Sequence, residues 1–211
     1  MTALETALTG LTVGTPVTLA NLTLFPLLGG QASEPGYLTL GEALAAGQAR
    51  ITEVSEQGSV PELRVVNGSE RPLLLLDGEE LVGAKQNRIV NLSILVAAHS
   101  ELVIPVSCVE AGRWRHDSAS FTTAERAHFA RGRARKIADV SHSMAADGSR
   151  RSDQGAVWED ISLKASRMQA ESPTAAAAAL YEANAHKLAD FIAAMPPADG
   201  QCGAAFAING A

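Results

Sequence analysis

The stretch Leu73–Arg88, LLLLDGEELVGAKQNR, places three carboxylates and two basic side chains directly after four consecutive leucines. An apolar run followed by Asp-Gly is typical of a buried strand that ends in a two-residue hairpin turn. In this hairpin Leu75 and Leu76 face Glu80 and Glu79, and neighbouring residues of a strand point to opposite sides of the sheet. Glu79 and Glu80 therefore cannot form an acid–base pair with each other, and one of them points to the apolar face.

That buried carboxylate requires a partner, because an unpaired ionised group costs several kcal/mol in an apolar environment. Lys85 and Arg88 are the nearest cations in the sequence. One interpretation is structural, an ion-pair cluster that fixes the hairpin. The other is a pocket at one end of the sheet, where carboxylates and amides hold ribose hydroxyls and the cations hold phosphate. The candidate residues of that pocket are Asp77, Glu79, Glu80, Lys85, Gln86, Asn87 and Arg88.

A second group of reactive side chains follows in SCVEAGRWRH, residues 107–116, which combines a thiol, an acid, arginine, an indole ring and an imidazole. Cys108 continues the inward face of a strand and is more typical of a core residue than of a nucleophile. We expect Glu110, Arg113 and Trp114 to line the same pocket as Glu79 or Glu80. No spacing of histidine and cysteine indicates a metal site, and none is predicted.

The distribution of hydrophobic residues predicts an α+β fold in one domain. Residues 1–112 carry short alternating segments with turn signals, which predict a β-rich, sandwich-like or open-barrel half. Residues 113–151 form a basic connector or helix. Residues 152–211 are mainly helical, with one late strand.

Local signals predict several details of these elements. Thr39 and Glu42 form a capping box at a helix start. Residues 88–96 alternate as one strand, and Pro105 in the next strand predicts an edge or a bulge. Ser152 is the expected cap of one helix, and a second helix opens at Ser172-Pro173. The apolar stripe of that second helix, expected to be a core face, consists of Leu180, Leu188, Phe191, Ile192 and Met195.

The last residues, GAAFAING at 203–210, predict a strand that runs into an Asn-Gly hairpin turn. No returning strand follows this turn in the sequence. An unpaired apolar edge is a site of self-association, so we expect the sequence to be a fragment truncated at its C-terminal end.

Composition narrows the possible classes of protein. With 211 residues, 46% hydrophobic and 19% charged, the chain can bury a core. Its two cysteines exclude a disulfide framework and are typical of a cytoplasmic protein. No apolar run reaches the length of about 18 residues that a membrane span requires, so no membrane partner is expected.

The net charge of −6 conceals a basic island. Residues 113–151 contain 9 Lys and Arg against 4 Asp and Glu, whereas residues 1–112 contain 5 against 12. The densest part, RGRARK at 131–136, is either a solvated helical face or a surface that faces phosphates. Because aromatic residues are not interleaved with these cations, a small phosphorylated ligand is favoured over nucleic acid.

Four segments carry a resemblance to a known family: LLLLDGEELVGAKQNR, IPVSCVEAGRW, SDQGAVWEDI and FAING. Along nearly its whole length the chain resembles the domain family named for its association with ADP-ribosylglycohydrolases and rhodanese-phosphatase proteins. The resemblance implies a place in NAD or ADP-ribose metabolism, with an enzyme of that metabolism as a partner, and the cofactor stays unknown. It also implies that members continue beyond FAING with a further strand and helix.

Two functional hypotheses follow. In the first, the protein is a non-catalytic accessory or adaptor module that binds an ADP-ribose or NAD-type phosphorylated nucleotide. In the second, it is a hydrolase of a glycosidic or phosphate linkage in such a ligand, with Glu79 or Glu80 as general base and Arg88 or Arg113 on the phosphates. The first is favoured because no established catalytic motif is found in the sequence.

Overall fold

The structure, a computed structural model, describes residues 5, 8–29, 35–115 and 118–210. The chain divides into two compact units. The central unit is Gly36–Ala183, and the flanking unit combines Met1–Pro35 with Asn184–Ala211. The beginning and the end of the sequence therefore belong to one unit, although about 150 residues separate them in the chain.

The strands, numbered in chain order, are β1 (Thr12–Val13), β2 (Val17–Leu19), β3 (Leu22–Leu28), β4 (Leu38–Thr39), β5 (Ala49–Glu53), β6 (Glu62–Asn67), β7 (Leu73–Leu75), β8 (Glu79–Gly83), β9 (Arg88–Val90), β10 (Ile94–Val96), β11 (Ser100–Cys108), β12 (Phe121–Ala127) and β13 (Gln201–Ile208). The helices are α1 (Leu40–Ala45), α2 (Ala130–Asp147), α3 (Gln154–Met168), α4 (Ala178–Glu182) and α5 (Ala185–Ala194).

Six strands of the central unit close into an antiparallel barrel with the neighbour order β11-β6-β5-β12-β8-β9. Its interior is apolar and includes the fully buried Ile51, Leu63, Val65, Leu81 and Ile104. The prediction of an α+β fold with a β-rich first half, helices and a late strand is confirmed. Closure of the barrel pairs both edges of its sheet, which an open barrel would leave exposed.

The leucine run belongs to a second, three-stranded sheet with the order β10-β7-β4. β7 pairs antiparallel with β10 and parallel with β4, whereas β8 belongs to the barrel. A turn does form, because the Glu79 amide donates to the Leu76 carbonyl at 3.1 Å. The predicted hairpin is nevertheless wrong, since the chain leaves one sheet at this turn and enters another.

The strand predicted over residues 88–96 is also divided, into β9 in the barrel and β10 in the small sheet. Pro105 lies within the closed barrel rather than at an edge. It is the last residue of β11 that pairs with β6, and Val106 is the first that pairs with β9. The residue without an N–H group thus lies where the strand changes partners.

Of the two predicted helix caps, one forms and the other lies one residue later in the sequence. The capping box before α1 is confirmed, with the Thr39 amide donating to Glu42 Oε2 at 2.8 Å and the Glu42 amide donating to Thr39 Oγ1 at 3.4 Å. The cap of α3 is Asp153 rather than Ser152, because Asp153 Oδ1 accepts from the Ala156 amide at 3.0 Å. The Ser152 hydroxyl instead bonds the Ser107 hydroxyl.

The flanking unit is an antiparallel sheet in which β3 pairs with β1, β2 and β13, together with α5. The predicted turn after β13 is present, since Asn209 and Gly210 have φ of 58° and 80°. The predicted second helix breaks into α4 and α5. Its stripe is not a core face along its full length, because Leu188 and Ile192 are 42% and 74% exposed.

Candidate functional site

Three connecting segments meet at one end of the barrel, which we call the barrel mouth. Residues 54–61 connect β5 to β6, residues 84–87 connect β8 to β9, and residues 109–120 connect β11 to β12. Because the paired strands are antiparallel neighbours, these three connections lie at the same end of the barrel. His116, a member of the second predicted group, lies outside the described residues.

Arg88 places a cation inside the barrel mouth. It lies opposite Leu81 of β8 and Cys108 of β11, on the inward face that Val90 continues. The side chain is fully buried, and its Nη1 donates to Gln86 Oε1 at 2.9 Å. Its Nε and Nη2 have no hydrogen-bond partner among the described residues.

Glu53 ends β5 on the same inward face, two residues after the buried Ile51. Its Oε1 accepts from the Lys85 amide at 3.4 Å, whereas its buried Oε2 has no partner in the described part of the chain. Burial lowers the pKa of Arg88, while the neighbouring Cys108 and Glu53 act to raise it. Arginine stays protonated under such shifts, so the mouth contains a buried cation facing an incompletely bonded carboxylate.

The polar side chains around this pair form a connected hydrogen-bond network. Arg113 Nε donates to Glu110 Oε2 at 2.7 Å, and its Nη2 donates to Asn87 Oδ1 at 2.9 Å. The Asn87 amide donates to Glu110 Oε2 at 3.2 Å, and Gln86 Nε2 donates to the Glu110 carbonyl at 3.0 Å. Both charged side chains are buried, so this network connects two loops of the mouth and holds Gln86 against Arg88.

Trp114 and Lys85 form the outer layer of the mouth. Lys85 Nζ donates to the carbonyls of Glu56 at 2.6 Å and Gln57 at 2.5 Å. The Trp114 ring lies 5.3 Å from Lys85 Nζ and 5.7 Å from Arg88 Cζ, within the range of cation–π contacts. Because Trp114 is 49% exposed, it presents an aromatic surface to solvent directly above the buried cation.

The Cys108 thiol lies on the inward face beside Arg88. Burial raises its pKa, and Sγ donates to the Glu110 carbonyl at 3.4 Å. A protonated, inaccessible thiol is a poor nucleophile. The expectation that Cys108 belongs to the core agrees with this environment.

The remaining predicted residues lie at the opposite end of the barrel, where β8 begins and β9 ends. Asp77 bonds the buried Lys136 and accepts from Arg133 Nε at 3.1 Å. Lys136 Nζ also donates to the carbonyls of Val90 at 2.9 Å and Asn91 at 2.6 Å. The buried cation at this end therefore has a carboxylate and two carbonyl oxygens as partners.

Glu79 and Glu80 point to opposite faces of β8, as predicted, but their partners were not predicted. Glu80 is buried and receives two hydrogen bonds from Arg126, from Nε at 2.6 Å and Nη2 at 3.1 Å. Burial raises the pKa of Glu79, although the Leu76 amide and the Thr123 hydroxyl act to lower it. Lys85 and Arg88 do not neutralise these carboxylates, because the two cations lie at the other end of β8.

The expected single pocket is thus divided between the two barrel ends. Lys85, Gln86, Asn87, Arg88, Glu110, Arg113 and Trp114 meet at the mouth, whereas Asp77, Glu79 and Glu80 do not join them. Glu53 and Arg126 were missed by the sequence analysis. The alternation of Ile51 and Glu53 could have indicated an acid on the inward face, whereas no local signal connects Arg126 to Glu80.

Most of the basic island takes part in structural ion pairs. Arg133 and Lys136 bond Asp77, and Arg135 bonds Glu159 and Asp160. These contacts account for three cations of the RGRARK segment without any phosphate.

Comparison with known protein families identifies the family of this domain. The family model of the ARG and Rhodanese-Phosphatase-superfamily-associated Protein domain, ARPP-1, matches residues 10–211. The chain belongs to the ARPP-1 family. The description of ARPP-1 names an association with the rhodanese-phosphatase superfamily, in agreement with that part of the resemblance. No curated protein and no solved structure matches the chain.

Two further searches concern only the described residues. None of their helices combines the length and the hydrophobicity needed to cross a bilayer. Among the same residues, no three His, Cys, Asp or Glu side chains come together as a metal site.

Proposed function

We propose that the barrel mouth binds a small phosphorylated nucleotide of the ADP-ribose or NAD type, and that this ARPP-1 domain is an accessory module for a partner enzyme. The observation that carries the proposal is the pair of incompletely bonded groups on Arg88 and Glu53. A buried guanidinium whose Nε and Nη2 are without partners among the described residues favours anionic oxygens, and a carboxylate oxygen accepts hydrogen bonds from hydroxyl groups. A ribose phosphate carries both kinds of partner.

Trp114 supports the choice of a nucleotide over a simple sugar phosphate. Its ring is half exposed above Arg88, and an adenine base can stack on such a surface. In the proposed complex, the phosphate reaches Arg88 when the ring moves aside from the cation.

The family association supports the class of ligand and partner. We interpret the first association in the family description as ADP-ribosylglycohydrolases, enzymes whose chemistry concerns ADP-ribose. Both cysteines are free, which is typical of a reducing compartment, and a cytoplasmic location is part of the proposal.

Calorimetric titration with ADP-ribose tests this function. We expect saturable binding that weakens as salt rises, because part of the attraction is between charges. Trp114→Ala should weaken binding by about 1 to 3 kcal/mol, the usual contribution of one stacked base, while Trp114→Phe should retain most of it. Absence of binding, or equal affinity of the Trp114→Ala variant, would contradict the proposal.

One observation favours the alternative, hydrolysis of a glycosidic or phosphate linkage. Burial raises the pKa of Glu79, which moves this carboxyl toward the range of a general base at neutral pH. Glu79 lies at the end opposite Arg88 and Arg113, so hydrolysis would require a second site with other cations. Chromatography of ADP-ribose after incubation separates the two functions: turnover that Glu79→Gln abolishes supports the hydrolase, and an unchanged ligand supports the accessory module.

A further inference from the structure

A separate cleft lies between the start of α2 and the second half of α3, among residues that the barrel mouth does not use. It has a volume of about 150 Å³ and an apolar lining of Phe129, Leu163 and Met168. Leu163 is 51% exposed, so the apolar lining is accessible from solvent.

Cations surround this apolar lining. Arg131, Lys164 and Arg167 contribute to the cleft, and Lys164 Nζ lies 4.9 Å from the centre of its aromatic ring. The side chains of Arg131 and Arg167 make no hydrogen bond or ion pair with any described residue. Asp160 also lines the cleft, but Arg135 Nη1 donates to it at 3.0 Å and compensates its charge. The cleft therefore has an excess of positive charge.

The volume limits what the cleft can accept. Pockets that enclose a drug-sized ligand measure about 300 to 1,000 Å³, so a cleft of about 150 Å³ is too small for a nucleotide. It is large enough for one apolar side chain. In protein interfaces, a single side chain inserted into such a pocket commonly supplies much of the binding energy.

We propose that this cleft docks an acidic segment of a partner protein, which inserts one leucine-sized side chain between flanking aspartate or glutamate residues. The apolar lining receives the inserted side chain, and Arg131, Lys164 and Arg167 attract the flanking carboxylates. This docking site is independent of the nucleotide proposed for the barrel mouth.

Fluorescence anisotropy with a labelled Asp-Glu-Leu-Glu-Asp peptide and the whole chain tests the docking site. We expect saturable binding that weakens as ionic strength rises from about 0.05 to about 0.3 M. Peptides with serine in place of leucine, or lysines in place of the acids, should not bind. Absence of binding at about 1 mM peptide overturns the proposal. The proposal is also overturned if hexanoate binds as tightly as the peptide, because the site would then be a site for small anions.

Variants locate the binding on the protein. Leu163→Ser should weaken peptide binding about tenfold, and Arg131→Ala or Arg167→Ala should weaken it about two- to fivefold each. The matched controls are Leu95→Ser, which removes another exposed leucine, and Arg150→Ala, which removes an exposed cation outside the cleft. Circular dichroism checks that every variant is folded. Equal losses in the cleft variants and the controls would show that the peptide binds elsewhere.

Discussion

The two ends of the barrel bury similar charges and satisfy them differently. At the end where β8 begins, the buried Lys136 contacts Asp77 and two carbonyl oxygens, and Glu80 is paired with Arg126 through both oxygens. At the mouth, the buried Arg88 uses one nitrogen and leaves two without partners among the described residues.

This difference separates structural charge from charge available to a ligand. A buried ion pair with complete hydrogen bonds is costly to break, and it offers nothing to a ligand. A buried charge with incomplete bonds contributes less to the fold, but it can gain bonds from a bound molecule. Under the proposed function, one end of the barrel contributes stability and the other contributes binding.

The largest effect is expected from Lys136→Ala. The substitution leaves Asp77 with Arg133 alone and removes one donor from each of two carbonyl groups, and loss of one member of a buried pair costs about 3 to 5 kcal/mol. Urea unfolding measures the change, with the exposed Lys187→Ala as control. A loss of about 1 kcal/mol or less would show that this end does not depend on the pair.

A smaller effect on stability is expected from His128, which lies at the same end as Asp77. This effect appears when the pH falls. Burial, followed by the charge of Lys136, lowers the pKa of His128 to about 4 from an ordinary value of 6.5. The unfolded chain therefore takes up a proton below pH 6.5 that the folded chain resists, so stability present above pH 6.5 is lost as the pH falls toward 4.

Between pH 6.5 and pH 4.5, wild type should lose about 2 to 3 kcal/mol more of its free energy of unfolding than His128→Gln, which does not titrate. Urea unfolding at several pH values measures both proteins. Parallel pH profiles would mean that His128 gains a compensating partner when it is protonated.

The smallest effect is expected from the double variant Arg88→Met and Glu53→Leu at the mouth. Apolar residues that replace a buried pair with incomplete bonds often leave stability unchanged, so we expect a change within about 1 kcal/mol. The same variant should lose ADP-ribose binding in calorimetry. A loss of about 3 kcal/mol would make the two ends equivalent, and retained binding would remove the mouth as the ligand site.

The sequence predicted local features well and long-range partners poorly. The capping box of Thr39 and the turn at Asn209 form as expected, because each depends on residues a few positions apart. The hairpin at Asp77 was wrong, because β7 finds its partners in β4 and β10, and periodicity does not specify which strand pairs with which.

The candidate site shows the same limit. Side chains within Lys85–Arg88 meet Glu110 and Trp114 as expected, since both segments connect strands at one end of the barrel. Glu79 was assigned to the same pocket because it is close to Lys85 in the sequence. The extended strand β8 lies between the two residues, however, and places them at opposite ends of the barrel. The partners of Glu80 and Asp77 come from β12 and α2, about 46 to 59 residues later, and no local signal indicates them.

The most direct test of the contrast follows the arginine Nε–H signals by ¹⁵N NMR during an ADP-ribose titration. Arg88 Nε is without a partner among the described residues, whereas Arg126 Nε and Arg133 Nε already donate to Glu80 and Asp77. We expect the Arg88 signal to shift and saturate with the ligand while the other two remain in place. An unchanged Arg88 signal, or equal shifts at Arg126 and Arg133, would contradict the assignment of binding to the barrel mouth.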